Sequence, residues 1–205
     1  MYHIPCLPFE LWRKAEENKG KLLDMFSLQV DETLKLELLE DVHSDELFEL
    51  VVQNKWHLDP WMPWVETTRS VNDIKVFIQN GIEQYGQRNG FQLAIIKINR
   101  IVGVVGLHYI DWSAGKTEIG YWLSQDVEGQ GIMTKALKAL IARLFESCKL
   151  RRIEIKADPR NHRSRAIPKR LGFLEEGILK QAMDYRDERR DQVLYSLLKE
   201  EWETE

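Results

Sequence analysis

The two glycines Gly129 and Gly131 stand between a predicted strand and the strongest helical pattern in the chain. Before them, the segment KTEIGYWLSQ alternates polar and apolar residues, which predicts a half-buried strand. After them, apolar residues recur at helical spacing, at Ile132, Ala136, Leu137, Leu140, Ile141, Leu144 and Phe145. This stripe predicts a helix with one buried face. The chain must therefore pass from a strand into a helix N-terminus within the glycine pair.

A helix that begins at this point offers a site for an anion. Its first four amide groups lack intrahelical partners, and the helix dipole places about half a positive charge at the same end. Glycine has no β-carbon to keep a ligand from the backbone, so main-chain donors from Gly129 to Thr134 could surround a phosphate. The alternative is that the two glycines only permit a tight turn.

Two familiar nucleotide-binding motifs do not fit this segment. A Walker loop needs GxxxxGK followed by Ser or Thr, and no such triplet follows Gly131. In the dinucleotide fingerprint GxGxxG, the third glycine would fall at Thr134. The glycines therefore support neither of these nucleotide classes.

The remaining segments predict a mixed α/β domain in which helices cover one sheet. Period-two alternation predicts the strands, and apolar stripes after the capping candidates Ser44 and Ser70 predict two early helices. In chain order the other predicted elements are a strand over 26–40, helices over 44–58 and 70–86, a hairpin over 91–111 that turns at 99–100, a strand over 151–158, a short helix over 164–173 and a strand pair over 174–185 and 191–202.

Charge and composition exclude several classes of function. The formal net charge of -4 argues against a general nucleic-acid binder, which needs a basic surface for phosphates. Cys6 and Cys148 match no metal or redox spacing, so we expect no bound metal and no disulfide framework. No apolar run approaches the roughly 18 residues that a membrane span needs, and the N-terminus lacks the apolar core of a signal peptide. We therefore expect a cytoplasmic protein without a membrane or nucleic-acid partner.

The beginning of the chain differs in composition from the rest. A proline-bounded aromatic stretch leads into the polar run RKAEENKGK, and the regular patterns start after it. We expect residues 1–24 to form an N-terminal arm or extension, and residues 25–205 to form one domain. An alternative is that Met25 is the natural start of the chain.

Four motifs in the expected order carry a resemblance to a known family. They are EIGYWLSQDVEGQGIMTKAL, NHRSRAIPKRLGF, LEEG and DQVLYSLLKEEW. Together they resemble the GNAT superfamily of acetyltransferases, and in particular its ribosomal-protein branch of the RimJ/RimL type. The resemblance runs from about Phe26 to Trp202. It implies a mixed, mostly antiparallel sheet, flanked by helices and splayed between two central strands, with acetyl-CoA as co-substrate and a homodimer as the assembly.

The resemblance also assigns a coenzyme A site to the glycine segment. The family pattern Q/R-x-x-G-x-G/A falls on Glu128, Gly129, Gln130, Gly131, Ile132 and Met133, and the site extends to Thr134. The chain departs from it at Glu128, where Gln or Arg is usual, and at Met133, where a small residue is usual. A carboxylate beside a diphosphate is unfavourable, so we expect Glu128 to point outside. The strand residues Trp122 and Leu123 would exchange main-chain hydrogen bonds with pantetheine.

The second motif is similar to the N-x-x-S sequence of this branch, here at Asn161 and Ser164. The resemblance implies that Asn161 hydrogen-bonds pantetheine and that Ser164 lies near the sulfur, where its hydroxyl could protonate the leaving thiolate. The alternative is that both residues only cap the next helix, which suits both residue types.

The general base is not fixed by any motif. The family glutamate near the last strand pair falls at Met183, beside Asp184, and neighbours in a strand face opposite sides unless a bulge intervenes. His108 is a second candidate because the ordinary pKa of histidine suits the task. Glu118 is the third, and a water relay would need none of them.

The acceptor side is indicated by the loop NKWHLDPWMPWVE, which carries Trp56, Trp61 and Trp64. These side chains could form one wall of an acceptor groove, or they could be packing anchors. The mixed-charge run RDERRD, residues 186–191, predicts a solvated turn, with contact to a polar partner as the alternative.

The predicted activity is transfer of an acetyl group from acetyl-CoA to a primary amine. The acceptor would be the N-terminal α-amine of a protein, such as a ribosomal protein, or a small molecule such as a polyamine, an amino acid or an antibiotic. An alternative from another class is a domain that binds acyl-CoA without turnover.

Overall fold

The computed structural model describes residues 27–202 as an eight-stranded sheet with helices on both faces. The predicted arm over residues 1–24, and Met25 with it, lie outside the described residues. The strand order across the sheet is β1-β2-β3-β4-β5-β6-β8-β7. The strands are β1 (Ser27–Gln29), β2 (Leu34–Leu38), β3 (Phe91–Lys97), β4 (Arg100–Asp111), β5 (Lys116–Leu123), β6 (Arg152–Ala157), β7 (Leu174–Tyr185) and β8 (Glu188–Leu198).

The helices divide between the two faces of the sheet. They are α1 (Ser44–Gln53), α2 (Lys55–Leu58), α3 (Trp64–Thr67), α4 (Val71–Gly86), α5 (Ile132–Glu146), α6 (His162–Arg170) and α7 (Lys199–Trp202). The buried residues of α5 share one apolar core with β2 to β6, β8 and Tyr85 of α4. Leu47 and Val51 of α1 and Ile74 and Ile78 of α4 belong to a second core on the opposite face. No helix in the described part of the chain is both long and apolar enough to cross a membrane.

The first predicted strand, over 26–40, is in fact a hairpin. The carboxylate of Asp31 accepts hydrogen bonds from the backbone N–H of Thr33 at 2.9 Å and from its hydroxyl at 3.0 Å, which turns the chain between β1 and β2. Lys135 on α5 contacts the same carboxylate at 2.8 Å. The ammonium of Lys135 and the hydrogen bonds from Thr33 hold the pKa of Asp31 below its ordinary value. The prediction missed this turn because the alternation of Leu34, Leu36 and Leu38 continues through β2.

The predicted helix over 44–58 is broken at Asn54. The side chain of Asn54 donates to the carbonyl of Leu50 at 2.9 Å, while its oxygen accepts from the hydroxyl of Ser124 at 3.1 Å and the backbone N–H of Gln125 at 2.8 Å. Asn54 therefore ends α1 and anchors the chain that leaves β5. The cap of α1 is His43 instead of Ser44.

The start of α4 and the turn of the β3–β4 hairpin differ in how closely the sequence predicted them. Ser70 caps α4 as predicted, through a reciprocal pair of hydrogen bonds with Asp73. The β3–β4 hairpin turns at Ile98 and Asn99, one residue earlier than predicted, and both residues have positive φ angles, 47° and 60°. Lys97 and Arg100 are the paired residues that close it.

The sheet opens between the parallel strands β5 and β6. Their pairing covers 116–119 with 152–155 and ends there. Beyond it, β5 stays paired with β4 as far as Leu123, and β6 stays paired with β8 as far as Ala157. The two strands therefore part at Gly120, which confirms the predicted splay of the sheet and leaves a cleft at the end of β5 where the glycine turn begins.

Candidate active site

The glycine turn presents a row of unused backbone donors at the start of α5. Gly129 and Gly131 both have a φ of 74°, a left-handed conformation that glycine adopts without strain. The helix has no side-chain cap, and among residues 27–202 no group accepts a hydrogen bond from the backbone N–H groups of residues 129–134. A methyl group placed at either glycine would have no other part of the described chain within 4 Å. The positive end of a 15-residue helix is therefore open to an anion.

The turn is held in place by contacts that leave these donors free. Asn54 fixes its beginning, as described above. Lys97 at the β3–β4 hairpin donates to the side-chain oxygen of Gln130 at 2.6 Å. Because the anchors are side chains from other elements, the backbone of the turn is preorganised without using its own N–H groups.

The carboxylate of Glu128 is paired with side chains from two other elements. One of its oxygens lies 2.6 Å from Nη1 of Arg163 on α6, and the other lies 3.1 Å from Nε2 of His57 on α2. The carboxyl side chain is 26% exposed, so it is neither buried nor free. Glu128 therefore connects the glycine turn to both sides of the cleft.

Asn161 and Ser164 form the N-terminal cap of α6. The side-chain oxygen of Asn161 accepts from the backbone N–H of Ser164 at 3.0 Å. The capping alternative from the sequence is thus present in the structure. The amide NH₂ of Asn161 has no hydrogen-bond acceptor within residues 27–202, so the same side chain keeps donors for a ligand.

Tyr121 was missed as a site residue by the sequence analysis. Its hydroxyl donates to the carbonyl of Ser164 at 3.1 Å and lies 3.4 Å from the hydroxyl of Ser164. This contact joins β5 to α6. Burial raises the pKa of Tyr121 well above its ordinary value, so the hydroxyl stays protonated. The sequence indicated Tyr121 only as one of the alternating residues of β5, because the contact joins residues far apart in the chain.

Two of the candidate bases lie on the same face of the sheet, beside the point where β5 and β6 part. His108 is exposed at an irregularity of β4, and its ring lies on Gly120, where a β-carbon would come within 2.4 Å of Nε2. Glu118 lies on β5, two residues before Gly120, so the two positions face the same side of the sheet. Its carboxylate is paired with Lys156 on β6 at 2.8 Å. His108 is thus the more accessible of the two.

Asp184 is not brought to this cleft. Its side chain is 89% exposed, and its ion-pair partner is Arg189 across the hairpin at 3.6 Å. A register irregularity does occur in β7, between Leu179 and Met183, but Asp184 still faces solvent beyond it. The structure gives Asp184 no contact with the other candidate residues, so it does not suit the role of base.

The three tryptophans of the early loop are not gathered into one wall. Trp64 packs on Trp122, with ring centroids 6.2 Å apart, and Trp122 is a buried core residue. Trp122 could therefore serve a ligand only through its main chain. Trp61 is partly buried, whereas Trp56 is 95% exposed. Packing on Trp122 therefore explains the position of Trp64, whereas the side chain of Trp56 does not pack into the core.

The charged run at 186–191 contains the predicted turn at Arg186 and Asp187, and residues 186–189 are exposed, but two of its arginines also contact the early loop. The guanidinium of Arg186 pairs with Asp59 at 2.7 Å. Arg190 donates to the carbonyl of Pro60 at 2.8 Å and stacks 3.4 Å from the ring centre of Tyr185. These contacts bind the β7–β8 hairpin to the tryptophan-bearing loop.

A sheet that opens between two parallel strands, with an uncapped helix N-terminus at the opening, is the arrangement that the resemblance to acyl-CoA-dependent acetyltransferases implies. Residues 33–174 match the family described as the acetyltransferase (GNAT) domain. The chain belongs to this family, which confirms the resemblance and the fold inferred from the sequence.

The relatives agree with this assignment over most of the chain. The Bacillus subtilis protein YdaF is 37% identical over 182 residues, which are 88% of this chain and 100% of YdaF. The ribosomal-protein-serine acetyltransferase of Escherichia coli is 32% identical over 170 residues, 83% of this chain and 95% of its own. The structure of RimL, a ribosomal L7/L12 α-N-protein acetyltransferase, in complex with coenzyme A has a TM-score of 0.81 and 28% identity, and the match covers 84% of this chain and 97% of RimL. The protein is an N-acetyltransferase that uses acetyl-CoA.

Proposed function

We propose that the acceptor is the N-terminal α-amine of a ribosomal protein, acetylated in the cytoplasm. The observation that carries this proposal is the agreement of two relatives, the E. coli ribosomal-protein-serine acetyltransferase and RimL, across more than four fifths of the chain. The exposed indole of Trp56 supports it as a surface that a peptide could contact, on a loop that the Arg186–Asp59 ion pair joins to the β7–β8 hairpin.

In this proposal the open N–H groups of residues 129–134 bind the diphosphate of acetyl-CoA. Bound acetyl-CoA supplies a thioester carbonyl that the amine attacks directly. His108 takes the proton that the attacking amine loses, and Ser164 gives a proton to the departing thiolate when the carbon–sulfur bond breaks. The Ser164 oxygen then regains a proton from solvent, and His108 releases one to solvent. The contact with Tyr121 holds the first turn of α6, and with it the Ser164 hydroxyl, against β5.

The role of Ser164 is tested by removing its hydroxyl. We expect Ser164→Ala to lower kcat about tenfold to a hundredfold, because a positioned proton donor contributes at the low end of general-acid effects. The KM for acetyl-CoA should change less than kcat, since the cap of α6 uses the backbone N–H of Ser164. Ser164→Thr keeps a hydroxyl and serves as the rescue variant. Equal kcat in the alanine variant and the parent would remove Ser164 from the mechanism.

The acceptor is tested by mass spectrometry of ribosomal proteins from a lysate treated with the enzyme and acetyl-CoA. We expect one ribosomal protein to gain an acetyl group at its N-terminal α-amine. A synthetic peptide with that N-terminus should be acetylated, and the same peptide with a blocked α-amine should not. Acetylation of polyamines or amino acids alone, with ribosomal proteins unchanged, would contradict the proposal and favour a small-molecule acceptor.

A further inference from the structure

Glu128 places a negative charge at the edge of a site that is otherwise built for an anion. It directly precedes Gly129, the first residue of the open turn. A carboxylate near a bound diphosphate raises the energy of the complex unless a cation lies between them. In the structure the cation that contacts Glu128 is Arg163, whose Nη1 lies 2.6 Å from the carboxylate.

The guanidinium of Arg163 could also bind a ligand, because within residues 27–202 it is paired only with Glu128. Its side chain is 76% exposed and lies in the first turn of α6, between Asn161 and Ser164. A guanidinium offers five N–H donors in a fixed fork that matches a phosphate as well as a carboxylate. Glu128 also has a second partner, Nε2 of His57 at 3.1 Å.

We propose that Arg163 binds the diphosphate of acetyl-CoA, and that Glu128 holds this guanidinium beside the glycine turn until the diphosphate displaces it. Glu128 then stays with His57 and lowers the affinity for coenzyme A by competing for Arg163 and by repelling the diphosphate. This inference rests on the proposed function only in that the diphosphate lies at residues 129–134, and it is independent of the acceptor.

Arg163 explains how the chain tolerates a carboxylate where the family pattern has Gln or Arg. The positive charge missing from position 128 is supplied by Arg163 from across the cleft. A purely structural brace between the turn and α6 is the other interpretation of the same ion pair. The two interpretations predict different ligand dependence. Loss of a structural brace would weaken the binding of every ligand of the cleft, whereas loss of an arginine that binds the diphosphate would weaken only ligands that carry a diphosphate.

The test compares three variants and two ligands. Arg163→Gln and Glu128→Gln break the pair from either side, and Arg189→Gln is the matched control, since Arg189 is a similarly exposed arginine paired with an exposed carboxylate, Asp184. The ligands are coenzyme A, titrated by calorimetry, and pantetheine, which lacks the diphosphate, titrated by amide resonances. Thermal unfolding of each variant reports on the fold.

We expect Arg163→Gln to weaken coenzyme A binding about tenfold, the size of one charge-assisted hydrogen bond, and to leave pantetheine binding unchanged. Glu128→Gln should tighten coenzyme A binding about threefold, because it frees Arg163 and removes a like charge. Arg189→Gln should alter neither affinity.

Three outcomes would overturn the inference: unchanged coenzyme A affinity in Arg163→Gln, an equal loss for both ligands in that variant, or weaker coenzyme A binding in Glu128→Gln. A parent protein that does not bind coenzyme A would instead contradict the placement of the diphosphate, and so the two failures are distinguishable.

Discussion

Gly131→Trp should reduce the affinity for coenzyme A about a hundredfold or more. The indole would fill the open space in front of the turn and remove several hydrogen bonds to the diphosphate, each of which contributes about 1.5–3 kcal/mol when the acceptor is charged. The fold should persist, because no described part of the chain lies within 4 Å of a β-carbon at this position. Calorimetric titration with coenzyme A measures the effect.

Gly131→Ala and Gly131→Asn separate occlusion from backbone strain. A non-glycine residue at a φ of 74° costs about 1–2 kcal/mol of stability, less for asparagine, and all three variants share this cost. The alanine and asparagine side chains do not reach far enough to cover the turn, so these controls should bind coenzyme A within a few-fold of the parent. Parent-like affinity in the tryptophan variant would contradict the placement of the diphosphate.

His108→Gln should lower kcat/KM for the amine about a hundredfold or more, since a positioned general base contributes 10² to 10⁴ in rate. Glutamine retains a polar side chain at the irregularity of β4 but cannot accept the proton. Steady-state assays with acetyl-CoA saturating measure the effect.

Two control variants, at the other candidate bases, make the assignment to His108 specific. Glu118→Gln should have a smaller effect than His108→Gln, because Glu118 is already paired with Lys156. Asp184→Asn should leave kcat/KM unchanged, since Asp184 lies in solvent. A larger loss in Glu118→Gln than in His108→Gln would transfer the role of base to Glu118.

The sequence located those features whose causes are local. Helix α5 and the helix capped by Ser70 were predicted because their apolar stripes and capping residues lie within one segment. The family motifs added the splay of the sheet, which no periodicity could indicate. The β1–β2 hairpin was missed because its turn, built on Asp31 and Thr33, contains no glycine or proline.

The rest of the site could not be predicted because it consists of contacts between distant segments. The hydrogen bond from Arg190 to Pro60 joins residues 130 positions apart. The pairing of Glu128 with Arg163 spans 35 positions. Tyr121 was assigned to a strand face, yet its hydroxyl reaches Ser164, 43 positions away. Local patterns specify which face a residue occupies, but not which distant side chain it contacts there.

The central claim is that the backbone N–H groups of residues 129–134 bind the diphosphate of acetyl-CoA. The most direct measurement is a titration of the amide resonances of the protein with coenzyme A, followed by one with pantetheine. We expect coenzyme A to shift the amide signals of residues 129–134 most strongly and pantetheine to leave these signals nearly in place. Saturable coenzyme A binding that leaves these amide signals unmoved would contradict this claim.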